Sequence, residues 1–525
     1  MPALKPGAPP ALKSRETVTF AAIPDGMVGK VLGELALGNS ERLVFVARDG
    51  QRLAEVERGI RFFSPGVEVL DFPAWDCVPY DRASPNSGVV ATRMATLAAL
   101  HGTARKPQIV MTTVNAILQR VPARSFVFDG SLTVIAGTLK PMDDTVRWLE
   151  RNGFLRSATV REPGEYAVRG GILDLFPAGA DEPVRLDFFG DTLETIRGFD
   201  PETQRSTTPR KRVDLVPANE MLLTPDSIAR FRERYVTLFG AATRDDLLYQ
   251  SVSEGRRYVG MEHWLPLFAD ALETLFDHVG EAPVVLDHLV DEAIAERLEQ
   301  IADHYAARAD ALEGKGIASS VPYKPLPPDS LYLTRNEWPE RLSGLPVARI
   351  SPFAQPEAPG VIDMGGRQGR TFAAERSAGD VNVFDAVIRH IEAVEKAGKR
   401  VVVAGWSEGS RDRTAQVLVD HGMVRLKPVA TWPEAVALGP HTVAMAVLGL
   451  EAGFETAELA VIGEQDILGD RLVRAPSKRR ASDFISDATS LAEGDLVVHI
   501  DHGIGRFTGL RSIEAAGAPH DCLEI

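Results

Sequence analysis

Residues Arg161–Thr195 read REPGEYAVRGGILDLFPAGADEPVRLDFFGDTLET, and their pattern decides what kind of module stands in the first third of the chain. Within them, Val184-Arg185-Leu186-Asp187-Phe188-Phe189 follows the period-2 rule of a strand. Val184, Leu186 and Phe188 fall on one face, while Arg185, Asp187 and Phe189 fall on the other. Phe189 is thus an aromatic residue on the polar face, four positions from an arginine. That pairing is typical of protein-binding hot spots. Taken alone, the residues also permit a plain account, with Arg185 a solvated charge and Phe189 the start of a core turn. Short strands with glycine and proline turns run from Thr133 to about Val216, which predicts a small α+β insert.

On either side the periodicity changes. From Arg42 to about Arg120, apolar runs at Leu43–Ala47, Val67–Leu70 and Ile109–Met111 alternate with helical stretches near Gln51–Phe63 and Val90–Leu100, the signature of a parallel sheet with crossover helices. Helices are predicted near Ile228–Phe239 and over Val290–Leu312. The Pro-rich passage Val321–Pro328 reads as a linker. From Val381 to Leu468 strands at Arg400–Ala404, Val443–Val447 and Leu459–Ile462, with a helix near Ser410–His421, form a further α/β unit that carries no ligand motif. Arg474-Ala475-Pro476-Ser477-Lys478-Arg479-Arg480 reads as a solvated basic tether. The last segment, from Glu493, is β-rich, and it reaches Ile525 in a strand-like pattern, so the chain is expected to be a fragment of a longer polypeptide. The expected fold class is α/β multidomain, with a body over 16–132 and 217–320, an insert over 133–216, a second α/β domain over 345–470, a basic linker over 471–490 and a partial domain over 491–525.

A chain of 525 residues exceeds one core. Its net charge of −15 argues against a surface devoted to DNA, since phosphate neutralisation needs clustered Lys and Arg. Two cysteines, Cys77 and Cys522, cannot make a disulfide framework or a four-thiolate metal site. With no signal-peptide run and no stretch of ~20 apolar residues, the expectation is a soluble, cytoplasmic protein.

Several chemistries are incomplete. The nearest approach to a phosphate loop is Pro24-Asp25-Gly26-Met27-Val28-Gly29-Lys30-Val31. Pro24 replaces the first glycine and Val31 the hydroxyl that would ligate Mg²⁺, and Asp25 adds a negative charge beside any phosphate. A plain helix start is the expected reading, with no bound cofactor, no metal and no catalytic residue. His499 and His502 flank Asp501 without the further ligands of a Zn²⁺ site. Cys77 has no histidine nearby in sequence and reads as a buried apolar residue. Gly365-Gly366-Arg367-Gln368-Gly369 reads as a flexible turn.

Three separated motifs then bear on kinship: Phe72–Asn86 (FPAWDCVPYDRASPN), Arg161–Thr195, and Gly494–Phe507 (GDLVVHIDHGIGRF). In this order they closely resemble the N-terminal half of the bacterial transcription-repair coupling factor family (Mfd). The first two also resemble the excision-repair protein UvrB, and the third resembles the RNA polymerase-interacting module of CarD-type regulators. The resemblance implies a UvrB-like degenerate helicase-type parallel sheet, an inserted UvrA-binding domain, and the start of a C-terminal β-barrel that is incomplete. It implies that UvrA docks on Arg169, Arg185 and Phe189. It also implies that the RNA polymerase β subunit contacts the strand near Arg511 and Ile513, Ile513 being equally suited to a core position. ATP, Mg²⁺ and double-stranded DNA belong, in that family, to a translocase motor whose motifs do not occur in this sequence. The competing expectation is a UvrB-like nucleotide-dependent DNA-repair enzyme; a CarD-like regulator leaves the arginine and phenylalanine face unexplained.

Overall fold

The computed structural model describes residues 9–10, 12, 17–39, 42–243, 246–313, 323–378, 382–469, 494, 496–499, 503–515 and 518–524, in two units, 1–475 and 476–525. In the first unit the strand Arg42–Ala47 shows how the body is built. Leu43, Phe45 and Ala47 enter one buried cluster, and Val44 and Val46 enter another. A strand apolar at every position must be covered on both faces. The helices Val28–Asn39 and Gly50–Phe63 bury residues in the first cluster, and Ser87–His101 and Val290–Leu312 in the second. Seven parallel strands result, in the order Val361–Asp363, Thr17–Ala21, Val347–Ile350, Val284–Leu286, Arg42–Ala47, Gln108–Thr113, Glu68–Phe72.

Val347–Ile350 and Val361–Asp363 lie inside 345–470, yet they pair on either side of Thr17–Ala21 in this first sheet. The rest of that range forms a six-stranded mixed sheet, ordered Arg367–Gln368, Phe454–Glu455, Leu459–Gly463, Arg400–Gly405, Val443–Val447, Leu426–Val429. The two sheets share a core: Val402, Ala444, Phe454 and Val461 join Val28, Val56 and Phe63 in one cluster. The helices Val28–Asn39 and Gly50–Phe63 touch closely enough that a Cβ on Gly29 would stand 2.6 Å from the Gly59 backbone.

The insert is an antiparallel sheet ordered Ser206–Arg210, Thr192–Phe199, Val184–Phe189, Ile172–Leu175, Glu165–Arg169, the last pairing in parallel with Leu155–Arg156. Thr138–Leu139 pairs with the turn end of Thr192–Phe199. Tyr166, Leu173, Leu175, Val184, Leu186, Leu193 and Ile196 form its core with Leu149 of the helix Met142–Arg151.

Two loop expectations are corrected. Of the Pro-rich passage, the described part, Tyr323–Pro328, is a strap bound to the body. Tyr323 and Leu326 are buried, Tyr80 donates to the Leu326 carbonyl at 2.9 Å, and the Trp264 indole donates to the Lys324 carbonyl at 2.9 Å. Proline-rich backbone lacks donors, but its carbonyls accept bonds and its apolar neighbours still bury. The glycine cluster is not a free turn: Arg367–Gln368 pairs with Phe454–Glu455, and a Cβ on Gly369 would stand 2.7 Å from the Gly453 carbonyl carbon. Those glycines permit backbones to approach.

In the second unit, Leu496–His499 pairs with Gly503–Arg506, and Gly509–Ala515 pairs with Ala518–Glu524, both antiparallel. Among the described residues no sheet closes. Arg511 and Ile513 stand in the Gly509–Ala515 strand, in register with Cys522 and His520. The basic run 474–480 and His502 lie outside the described residues. No described helix is long and apolar enough to cross a membrane.

Candidate functional site

The register of the insert sets out its outer face, opposite the core, in three cross-strand rows. The first holds Ala167, Asp174, Arg185, Arg197 and Pro209; the second Arg169, Ile172, Asp187 and Thr195; the third Phe189, Thr192 and Leu139. Arg169, Arg185 and Phe189 therefore share one face, as the period-2 reading of Val184–Phe189 requires for the last two. The alternation survives because the irregularity beside Asp187 and Phe188 adds its extra residue, Glu194, to the neighbouring strand. Leu193 and Ile196 are consequently both buried although three residues apart. Arg169 and Phe189 each precede a two-residue turn at the same end of the sheet, with positive φ at Gly170 (61°) and Gly190 (58°). Turns of this length take glycine there at no steric cost.

The three side chains differ in how free they are. Phe189 is 77% exposed. Arg169 is exposed and donates to the Ala158 carbonyl at 2.6 Å. Arg185 is engaged: its Nε and Nη2 donate to the two carboxylate oxygens of Asp174 at 2.7 and 2.9 Å, and its guanidinium lies 5.0 Å from the centre of the Phe199 ring. Asp174 is buried, and its hydrogen bonds hold the Arg185 guanidinium above its ordinary pKa. Arg185 is therefore neither a solvated charge nor a loose arm. Asp174 sits in the ILDL run of the quoted motif, but only the strand register shows that it faces Arg185.

The segment that comes nearest to a phosphate loop forms a 3₁₀ turn, Asp25–Met27, leading into the helix Val28–Asn39. It borders a cavity of about 410 Å³ lined by Asp25, Arg48, Asp49, Arg52, Glu55 and the 449–453 loop. Arg52 is buried, donates to Asp287 at 2.9 Å, and lies 3.1 Å from the Asp25 carboxylate. Lys30 is paired with Glu34 at 2.6 Å. Val31 is buried in the shared core, where it offers no ligand to Mg²⁺. Gly29 is accounted for by its contact with Gly59. These residues do not fit ATP and Mg²⁺.

Two further arrangements connect residues distant in sequence. Cys77 Sγ lies 3.9 Å from Nε2 of His263, a neighbour 186 residues away. Burial pushes the thiol up to about 12 and the imidazole down to about 4, so neither carries the charge that a thiolate–imidazolium nucleophile needs. Arg93, in the helix that follows the aromatic loop, is buried against Glu220, which also accepts from the Trp75 indole at 3.0 Å. Glu220 follows the last strand of the insert, so this pair fastens the return of the insert to the body.

Fold and face together define a class: a multidomain α/β chain with an inserted antiparallel module whose outer face exposes an arginine and a phenylalanine. That module matches the family described as the UvrB interaction domain over residues 132–221, and residues 491–525 match the CarD-like/TRCF RID domain. The chain is similar to the transcription-repair-coupling factors of Myxococcus xanthus (31% identity, 98% of this chain), Escherichia coli strain K12 (29%, 98%) and Rickettsia bellii (28%, 93%). It spans 44%, 44% and 42% of the lengths of those relatives. The two domain matches and these relatives agree with the resemblance that the three motifs carry.

Proposed function

We propose that the outer face of residues 132–221 docks UvrA, that the strand bearing Arg511 and Ile513 engages the β subunit of RNA polymerase, and that the chain is the recruiting part of a cytoplasmic transcription-coupled repair factor. The observation that carries this reading is the exposure of Phe189 on the same face and at the same end of the sheet as Arg169, on the module that matches the UvrB interaction domain. Phe189 supplies a rigid apolar anchor and Arg169 a charged donor at the same end of the sheet, the composition of an interface hot spot. Arg185 contributes by holding Asp174 and so fixing the face. ATP hydrolysis with Mg²⁺ and translocation on double-stranded DNA are assigned to parts of the full-length relatives outside this chain. The internal pairing of Lys30 and the burial of Val31 support that division.

The test is calorimetric titration of the chain with UvrA. Phe189→Ala and Arg169→Ala are each expected to weaken binding by about 2 kcal/mol. A double variant that binds at parental strength would end this assignment. Arg185→Ala is a poorer probe, because it also strips Asp174 of its partner.

A further inference from the structure

Leu139 has no part in the motifs that point to docking, since it lies about fifty residues before Phe189 in a stretch with no pattern of its own. The fold brings the two together. Thr192 is the register partner of Phe189 on one side and of Leu139 on the other, so Leu139, Thr192 and Phe189 form one row across the outer face. Strand spacing puts the two apolar residues ~10 Å apart, with only a threonine between them. Leu139 is 79% exposed and Phe189 77%.

The backbone holds Leu139 there without help from its side chain. The Gly137 amide donates to the Leu193 carbonyl at 2.7 Å, and the Lys140 amide to the Asp191 carbonyl at 2.7 Å. These bonds clamp the segment to the start of the Thr192–Phe199 strand and the turn before it, on both sides of the leucine. A single exposed leucine is ordinary on a protein surface. Two large apolar side chains in one row, bordered by the charged row of Arg169 and Asp187, have the layout of an interface centre with a polar rim.

We propose that Leu139 is a second apolar anchor of the UvrA-docking face, so that the partner lays an apolar group over Thr192 between Leu139 and Phe189. This rests on the docking reading above and extends it to a segment of the same module that lies outside the Arg161–Thr195 motif. Binding of the full chain to purified UvrA is measured by titration for Leu139→Ala, Leu139→Asp and Phe189→Ala, with a thermal melt of each variant. Leu139→Asp is expected to weaken binding roughly tenfold or more and Leu139→Ala roughly threefold to tenfold, with melting unchanged because the side chain is exposed. If Phe189→Ala weakens binding while Leu139→Asp binds like the parent, the second anchor is overturned and the docking reading stands. If neither Phe189→Ala nor Leu139→Asp weakens binding, the docking reading itself falls and the anchor with it. Val259→Asp, at an apolar position in the body that is 68% exposed, is expected to leave affinity unchanged. An equal loss there would overturn the proposal by showing that added negative charge alone is responsible.

Discussion

The outer face of the insert and the cavity beside the Asp25–Met27 turn both carry charged residues, yet they use them in opposite ways. At the cavity Arg52 is satisfied from within, by Asp287 and Asp25, and on the helix that follows Lys30 is paired with Glu34. On the insert, Phe189 and Leu139 stand in solvent, and Arg169 is exposed with a backbone carbonyl as its hydrogen-bond partner. Arg185 lies between these cases, on the same outer face yet clamped to Asp174. A region that satisfies its own charges in this way serves as structure. A face that leaves a phenylalanine and a leucine exposed is suited to burial by a partner.

The sharpest way to break this comparison is at Arg52. Removing it leaves Asp287, whose side chain is fully buried, without a countercharge. Arg52→Ala is expected to lower stability by roughly 3–5 kcal/mol, read as an earlier denaturant midpoint at unchanged slope. Replacing both partners by leucine should recover most of that loss, because the desolvated charge goes with its partner. An Arg52→Ala chain as stable as the parent would mean the pair is incidental.

Acid should separate the two regions next. Burial lowers His263 and His278 to about 4, despite Glu262 and Asp81 near the first and Glu273 near the second, and with His101 and Arg124 also facing His278. The unfolded chain takes up these protons near pH ~6.5, so stability is full above that value and falls as the pH drops from there towards 4. The loss is roughly 2 kcal/mol per histidine at pH 5. Residues 132–221 contain no histidine. Asp200 in the insert is held below its ordinary value by the Thr203 amide, so its contribution is present above the ordinary carboxylate range and lost only at still lower pH. Limited proteolysis at pH 5 should therefore cut the body before the insert. The reverse order, or simultaneous loss, would contradict it.

Much of the fold was legible locally because burial on one or both faces leaves a periodic trace. Val184–Phe189 alternates because one face is core, and Leu43–Ala47 is apolar throughout because both faces are. What escaped reading depends on register and long-range closure. The Arg185–Asp174 pair needs the strand pairing to be known, Arg93 meets Glu220 across 127 residues, and Arg52 meets Asp287 across 235. No local pattern signals such partners, since a charged residue in a helix looks the same whether it faces solvent or a carboxylate. The Pro-rich strap escaped for a related reason: composition reported its missing donors but not the tyrosine and tryptophan that bind its carbonyls.

Within the insert, Arg185→Ala is expected to cost roughly 1.5 kcal/mol in stability, since buried Asp174 loses both of its charged hydrogen bonds. Arg185→Lys should fall between, retaining the charge but not the bidentate geometry. Hydrogen exchange should report the loss in the Ile172–Leu175 and Val184–Phe189 strands and leave the body protected. Exchange unchanged in those strands would show that Asp174 is satisfied without Arg185.

The smallest effect is expected at Lys30, and that is what makes it decisive. In a working phosphate loop this lysine holds the outer phosphates, so its removal abolishes nucleotide binding while leaving the fold intact. Here the ammonium is taken by Glu34, one turn along the same helix, and the pair is partly exposed. Such a pair contributes less than about 0.5 kcal/mol, and Lys30→Ala should accordingly leave melting, UvrA affinity and ATP turnover where the parent has them. Equilibrium dialysis with ATP and Mg²⁺ measures the alternative directly. Nucleotide retained by the parent chain and lost in Lys30→Ala would mean that Glu34 releases the lysine to a ligand, and the contrast between this region and the outer face of the insert would fall.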